Sequence, residues 1–373
     1  MENIDTLDFA YGLEWTILEL LCKGLTSSAE QEVFFDLVNS DHLNWGELIE
    51  QAVRHRMLPN VAYHVTSRRL RNTTLLDVEK HLRTALDLNR HRLCMLRSQA
   101  GRIVQALNER HIQFVGTKGI TFESTIYSAN GSRYMNDLDF MIAPADRDGV
   151  ISAMSQLGYR MEAFEWSSGK IVPYERKDTI VYKLNPDHIP VFTLLTGDAV
   201  VPCIQVDFAN SLTWSRSPYE IPIATAFLET WSQPIPNISN IELPCFNPHF
   251  QFIFTTLHLF REAWFDKWLK YGKDVNLTKF GDVIRVWDTY HDYFIDGQFV
   301  SLIREYQLLE PILWVLEHLD RTFGLGMVNA LGLEGQVTED WLASSHNPGG
   351  GVRVWKGTMR QRLHSKDRYA LFG

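Results

Sequence analysis

The sequence predicts an α+β protein in which a small mixed-sheet core is flanked by helical regions on both sides. Apolar residues recur at helical spacing before residue 113, and β-prone runs separated by turns fill residues 113–215. Helical spacing then returns over residues 216–373. We therefore expect three regions: a helical N-terminal region (1–112), a mixed α/β core (113–215) and a helical C-terminal region (216–373).

The N-terminal region is dominated by one long helical pattern. Its apolar residues recur at steps of three, four and seven, which places them on one stripe of a helix: Leu82, Leu86, Leu93, Leu96, Ile103 and Leu107. Asp77 precedes this pattern, and its short polar side chain is suited to capping the first turn. Weaker periodicity over 15–25, 30–38 and 45–53 predicts further helices that pack together.

The central region alternates between strand and helix patterns. We expect strands at 113–115, 138–142, 159–164, 179–184 and 204–208, with helices at 120–127 and 145–157 between them. Beyond this region, residues 250–264, 280–290 and 300–323 show the clearest helical spacing. The mixed sheet is therefore expected at the centre of the chain.

Composition and charge restrict the partners. The chain has 373 residues and a formal net charge of −9, which disfavours the broad basic surface of a nucleic-acid-binding protein. No apolar run reaches the roughly 18–20 residues of a membrane-spanning helix, and the N-terminus lacks the pattern of a secretory signal. Cys22, Cys94, Cys203 and Cys245 show no paired spacing for zinc or a redox centre. We therefore expect a cytoplasmic protein with free thiols and without a membrane partner.

The residues that indicate chemistry lie in the segment 133–142. In a strand the side chains alternate, so Asp137 and Asp139 share one face while Leu138 and Phe140 share the other. Two residues of rise put the two carboxylates roughly 6–7 Å apart, where they repel each other unless a cation lies between them. Hard oxygen ligands of this kind suit Mg²⁺ or Mn²⁺, which leave other positions to water and phosphates.

An Asp-x-Asp pair alone is also compatible with ordinary acids at a strand end, but two neighbouring features favour a site. Upstream, Gly116-Thr117-Lys118-Gly119 forms a turn between a strand and a helix, where backbone amides and a helix N-terminus can approach a phosphate. Downstream, the strand expected at 204–208 carries Asp207 between the apolar residues Val206 and Phe208. An acid in such surroundings is costly to bury unless it is paired or binds a metal.

These segments resemble the core of the DNA polymerase β-type nucleotidyltransferase superfamily, and more narrowly its poorly characterised bacterial branch. Members of that branch have Leu-Lys-Gly, then Arg, then Asp-x-Asp, then Gly-Tyr or Gly-Phe. The corresponding residues of this chain are Lys118-Gly119, Arg133, Asp137 with Asp139, and Gly158-Tyr159.

The resemblance implies a site and a reaction. Asp137 and Asp139 would hold Mg²⁺ on a triphosphate, and pyrophosphate would leave in an in-line displacement. Asp207 would be the third metal ligand, on an adjacent strand, and could take the proton of an attacking hydroxyl. Lys118 and Arg133 are candidates to neutralise the phosphates, although cations near a turn can also be ordinary surface residues.

We therefore expect an enzyme that transfers a nucleoside monophosphate from an NTP to a small-molecule or peptide acceptor. Two alternatives remain open. An Asp-x-Asp motif also holds the metal of nucleotide-sugar-dependent glycosyltransferases, although those enzymes normally begin with their nucleotide-binding strands and give the third carboxylate no role. The superfamily usually has Gly-Ser at the first turn, where this chain has Gly116-Thr117 or Lys118-Gly119. The other alternative is therefore a catalytically inactive relative that binds nucleotide or a partner protein.

Overall fold

A computed structural model describes residues 11–68, 75–176, 180, 182, 187–347 and 350–372 of the chain. The chain forms two compact units, one drawn from residues up to Asp87 and from Thr255 onward, the other made of Leu88–Phe254. The helical regions on either side of the sheet thus contribute to one unit. The limits of the three regions, 1–112, 113–215 and 216–373, stay a prediction.

The part of the chain before the sheet is helical. The described residues form α1 (Leu13–Lys23), α2 (Ser28–Val38), α3 (Trp45–Arg54), α4 (Leu58–Ser67) and α5 (Leu76–Asn108). The helices predicted at 15–25, 30–38 and 45–53 are confirmed by α1, α2 and α3. All six apolar residues of the predicted stripe in α5 are exposed by 2% or less. Helix α5 begins at Leu76, so Asp77 lies within its first turn instead of before it.

The second unit is built on a six-stranded mixed sheet. Its elements in chain order are β1 (Phe114–Thr117), α6 (Gly119–Thr125), β2 (Asp137–Ile142), α7 (Arg147–Gln156), β3 (Ala163–Glu165), β4 (Lys170–Val172), β5 (Phe192–Leu195), β6 (Cys203–Ala209), α8 (Ile223–Leu228), β7 (Thr230–Pro234) and β8 (Glu242–Phe246). The strand order is β5-β6-β2-β1-β8-β7. Strands β6 and β2 are parallel, as are β1 and β8, and the other neighbours are antiparallel. The predicted α+β class with a mixed-sheet core is confirmed.

The sheet extends further along the chain than the sequence predicts. Residues from 216 onward were expected to be helical, yet β7 and β8 form an antiparallel hairpin beside β1. Pro234 and Pro244 weaken the strand pattern because proline donates no backbone hydrogen bond. Pro234 is tolerated because β7 is an edge strand. Pro244 is tolerated because β8 pairs with β1 at one position only, Gly116 with Cys245.

In two further places the predicted strands differ from those of the structure. Strand β5 (Phe192–Leu195) was not predicted from the sequence. The strand predicted at 179–184 lies mostly outside the described residues. The two described positions, Ile180 and Tyr182, are helical, so the prediction is wrong there.

Helices cover one face of the sheet. The apolar residues of β2 and β6, among them Leu138, Phe140, Val206 and Phe208, are buried in one core with residues of α5 and α7. Phe140 stacks on Phe208 with 5.4 Å between ring centroids. The alternate residues of the same two strands point to the opposite face, where the acids lie.

The C-terminal part is mainly helical. It contains α9 (Pro248–Trp264), α10 (Asp266–Leu269), α11 (Leu277–Phe294), α12 (Gln298–Glu305), α13 (Leu309–Phe323), α14 (Met327–Ala330), α15 (Glu339–Leu342), β9 (Ser344–His346), β10 (Val352–Val354) and α16 (Met359–His364). The single helix predicted at 300–323 is divided into α12 and α13, where Gln307 takes a φ of 56°. Within the described ranges, no helix has the length and apolar character needed to cross a bilayer.

Candidate active site

Strand β2 carries the Asp-x-Asp motif on the face opposite the core. Leu138 and Phe140 are buried in the core, so alternation directs Asp137 and Asp139 to the other side. Asp137 is exposed, the Asp139 side chain is 17% exposed, and Met141 on the same face is fully buried. Asp139 therefore lies at the boundary between the exposed and the buried part of this face.

The register of the sheet sets Asp139 beside two other polar residues. It is paired with Asp207 on the parallel strand β6 and with Thr117 on the antiparallel strand β1. Residues paired across neighbouring strands point to the same face, and the strands lie roughly 4.8 Å apart. Asp137 is paired with Gln205, two residues along from this position. We call the surface formed by Asp137, Asp139 and Asp207 the acidic face.

Lys118 contacts the acidic face from the turn between β1 and α6. Its Nζ is 3.2 Å from Asp139 Oδ1 and 5.6 Å from the centre of the Phe254 ring. Its backbone has φ 49° and ψ −119°, a conformation that favours glycine. A lysine held in such a conformation, with its ammonium on a motif carboxylate, supports the hypothesis that the turn is functional.

The two glycines of the turn are required by close packing. A Cβ at Gly116 would lie 2.8 Å from Leu243 Cδ1 in β8, on the core side of the sheet. A Cβ at Gly119 would lie 2.5 Å from Met135 Sδ. Gly116 is therefore directed away from the acidic face, whereas Thr117, buried at 4% exposure, shares the side of Asp139.

Arg133 is buried against the same turn. It is 8% exposed, and its Cζ lies 5.5 Å from the Phe122 ring centre and 5.9 Å from that of Tyr127. Its Nη1 donates to the Tyr134 carbonyl at 3.4 Å and would lie 2.9 Å from a Cβ at Gly119. The guanidinium is thus packed against the start of α6 and two aromatic rings.

A histidine that no sequence motif marks also contacts the acidic face. His188 Nδ1 is 3.3 Å from Asp207 Oδ1, and its Nε2 is 3.6 Å from Asp187 Oδ2. The Ser215 backbone N–H donates to the same Asp187 oxygen at 3.2 Å. The one available signal was the polar pair Asp187-His188 directly before the apolar run 189–192, whose last residue, Phe192, begins β5 beside β6.

The donor atoms of the acidic face fit a divalent cation. Among the residues that the structure describes, no three His, Cys, Asp or Glu side chains are grouped so that they could hold a metal ion by themselves. Magnesium in phosphate-transfer sites is commonly bound by one or two carboxylates and completes its shell with water and phosphate oxygens. The register pair Asp139 and Asp207 offers such a donor set when a cation displaces Lys118 from Asp139.

The α+β fold with its mixed-sheet core is consistent with the fold of a nucleotidyltransferase. The chain belongs to a family of uncharacterised nucleotidyltransferases, whose family model matches residues 41–324, more than half of the chain. No curated protein and no solved structure matches it. Membership supports a general nucleotidyltransferase function and implies an NTP substrate. The matched span includes the whole acidic face and the turn before α6.

Proposed function

We propose that this protein is a metal-dependent nucleotidyltransferase that transfers a nucleoside monophosphate from an NTP to a small-molecule or peptide acceptor and releases pyrophosphate. The observation that carries the proposal is the register pair Asp139 and Asp207, with Asp137 two residues away on the same face. Family membership supports the class of reaction, and the register pair supports the choice of residues.

Asp137, Asp139 and Asp207 are the residues that would hold Mg²⁺ or Mn²⁺. A bound ion supplies positive charge to the phosphate oxygens as the leaving group departs. The Asp139 side chain is 17% exposed and that of Asp207 is 31% exposed, so both are only partly solvated. Two carboxylates on adjacent strands repel each other, and this repulsion favours a cation at the acidic face.

The turn before α6 is the proposed nucleotide-binding element. The Lys118 ammonium lies on Asp139 and can exchange that partner for the more highly charged triphosphate. Thr117 shares the side of Asp139, while Gly116 and Gly119 allow the close packing that fixes the turn. Arg133, buried against Gly119, adds a second positive charge behind the turn.

The transfer step follows from the same residues. An acceptor hydroxyl oxygen attacks the α-phosphorus, the bond from that phosphorus to the bridging oxygen breaks, and pyrophosphate leaves with that oxygen. Asp207 takes the proton of the hydroxyl as general base. It is the more exposed of the two register-paired acids, so an acceptor entering from solvent meets it more readily than Asp139.

Calorimetric titration with nucleotides tests the proposal. The panel holds the four NTPs, non-hydrolysable analogues and several nucleotide sugars, each with and without Mg²⁺. Asp139→Asn removes a charge at nearly constant volume and should abolish Mg²⁺-dependent NTP binding. Asp148→Asn is the matched control, because Asp148 is an exposed acid on α7, the helix that packs on the core side of the sheet.

The outcomes separate the candidate functions. NTP binding that is lost in Asp139→Asn and kept in Asp148→Asn would support the proposal. Full NTP binding by Asp139→Asn would show that the carboxylate assignment is wrong. Binding of nucleotide sugars without NTPs would indicate glycosyl transfer instead, and binding of no nucleotide at all would indicate an inactive relative.

A further inference from the structure

His188 reaches the acidic face because the pairing beside β6 is irregular. Four residue steps separate His188 from Phe192, whereas three steps separate their partners on β6. One extra residue, as in a β-bulge, changes the face to which the following or preceding side chains point. Ile189 and Phe192 both enter the core, at 0% and 1% exposure. His188 therefore lies on the opposite side, together with Asp207.

The backbone around His188 is anchored on both sides. The Ile189 N–H donates to the Phe208 carbonyl at 3.0 Å, and the Asn210 N–H donates to the Asp187 carbonyl at 2.9 Å. These hydrogen bonds tie the segment 187–189 to the end of β6. The imidazole is thus carried by backbone that is fixed relative to the strand of Asp207.

The ring nitrogens of His188 face two carboxylates. Nδ1 is 3.3 Å from Asp207 Oδ1, a distance at which a hydrogen bond is made, while Nε2 is 3.6 Å from Asp187 Oδ2. An ionised carboxylate only accepts hydrogen bonds, so the Nδ1 that faces Asp207 carries the hydrogen. Asp187 in turn is held by the Ser215 backbone N–H.

We propose that His188 is a positioning residue: its Nδ1–H donates to Asp207 and fixes that carboxylate in the orientation that binds the metal. The inference rests on the proposed function, because it assigns Asp207 to the metal site. The terminal torsion of an aspartate is broad, so a donor on one oxygen restricts the plane of the group. A carboxylate has about four lone-pair positions and keeps the capacity to bind a cation while it accepts this hydrogen bond.

Two substitutions at His188 distinguish its two nitrogens. The amide nitrogen of His188→Asn lies near the position of Nδ1, towards Asp207, whereas that of His188→Gln lies near the position of Nε2, towards Asp187. His188→Ala removes both. Loss of a partner that orients a metal ligand typically weakens metal binding about 10–100-fold. We therefore expect His188→Gln and His188→Ala to bind Mn²⁺ about 10–100-fold more weakly, and His188→Asn to stay close to the wild type.

Mn²⁺ binding to the full-length protein is measured from the electron paramagnetic resonance signal of free Mn²⁺, without nucleotide or turnover. Circular dichroism and thermal unfolding identify variants that fail to fold. Equal affinity of the Asn and Gln variants would overturn the inference, because a structural role of the ring does not depend on which nitrogen is retained. Rescue by Asn and not by Gln would support it.

Asp139→Asn in the same titration separates this inference from the proposed function. If the wild type does not bind Mn²⁺, or if Asp139→Asn binds it unchanged, the proposed function is wrong and the role of His188 falls with it. If Asp139→Asn loses Mn²⁺ binding while all three His188 variants bind like the wild type, the role of His188 alone is overturned.

Discussion

Replacing Lys118 by glycine and by alanine distinguishes the effect of its backbone strain from the effect of losing its ammonium group. Both variants remove the ion pair with Asp139, so a difference between them reports the backbone. Lys118 has φ 49° and ψ −119°, where a Cβ is strained and glycine is not. The residue also accepts the first hydrogen bond of α6, from the Phe122 N–H at 2.8 Å, which holds this conformation in place.

The expected difference follows from two opposing terms. A residue in a sparsely populated backbone region costs about 1–3 kcal/mol. The greater freedom of glycine in the unfolded chain costs about 0.4–1 kcal/mol. Taking the midpoints of these ranges, about 2 and about 0.7 kcal/mol, Lys118→Gly should be more stable than Lys118→Ala by about 1.3 kcal/mol. For a folding unit of this size, each 1 kcal/mol corresponds to a change in Tm of about 2–4 °C.

Denaturant and thermal unfolding of the two variants measure this difference. The matched control is the same pair of substitutions at Lys80, an exposed residue within α5, where alanine should be the more stable by about 1 kcal/mol. If alanine is as stable as glycine at position 118, the inference of backbone strain is wrong. NTP binding should fall equally in both Lys118 variants, since both lack the ammonium. Retained NTP binding would show that Lys118 does not contact the phosphates.

Three further predictions concern packing and buried charge. Gly116→Ala should lower the free energy of unfolding by about 1–3 kcal/mol, because the added Cβ would meet the buried side chain of Leu243. Combining it with Leu243→Ala should reduce that penalty, and a double-mutant cycle measured by denaturant unfolding tests this. Asp274→Asn should cost about 3–5 kcal/mol by the same measurement, since fully buried Asp274 pairs with Arg362 at 3.0 Å and with Arg368. Burial alone would raise the pKa of Asp274, but Arg362 and Arg368 hold that pKa below its ordinary value. The stabilising contribution is therefore complete above the unfolded pKa of about 3.9 and is lost as the pH falls through the lower folded pKa. The unfolding free energies of wild type and Asp274→Asn should converge only in that acid range, and convergence near neutral pH would contradict the assignment.

The sequence was sufficient where a pattern is local. The alternation of acids and apolar residues in β2 depends on one strand having one buried face, and the six-residue stripe of α5 depends on one helix having one buried side. The family resemblance came from the same short segments, and the family assignment confirms it. These features need no knowledge of which distant elements meet.

The sequence was insufficient where a feature depends on contacts between distant segments. Strand β8 pairs with β1 at Gly116, more than a hundred residues earlier in the chain, and Leu243 packs closely on that glycine. The pattern of β8 itself is interrupted by Pro244. His188 reaches Asp207 only through an extra residue in the pairing beside β6, and an irregularity of that kind has no signal in composition or spacing. Both features required the assembled sheet.

The core and the acidic face are linked by the register of β2 and β6. Phe140 pairs with Phe208 on the core side, one residue after Asp139 pairs with Asp207 on the other side. A slip of one residue between the strands would move the aromatic rings out of the core and the carboxylates into it. The stacking of the two rings at 5.4 Å thus disfavours the same displacement that would separate the acids. The spacing of the acidic face is therefore maintained by the hydrophobic core beneath it, and not by the charged residues themselves, whose mutual repulsion acts against it.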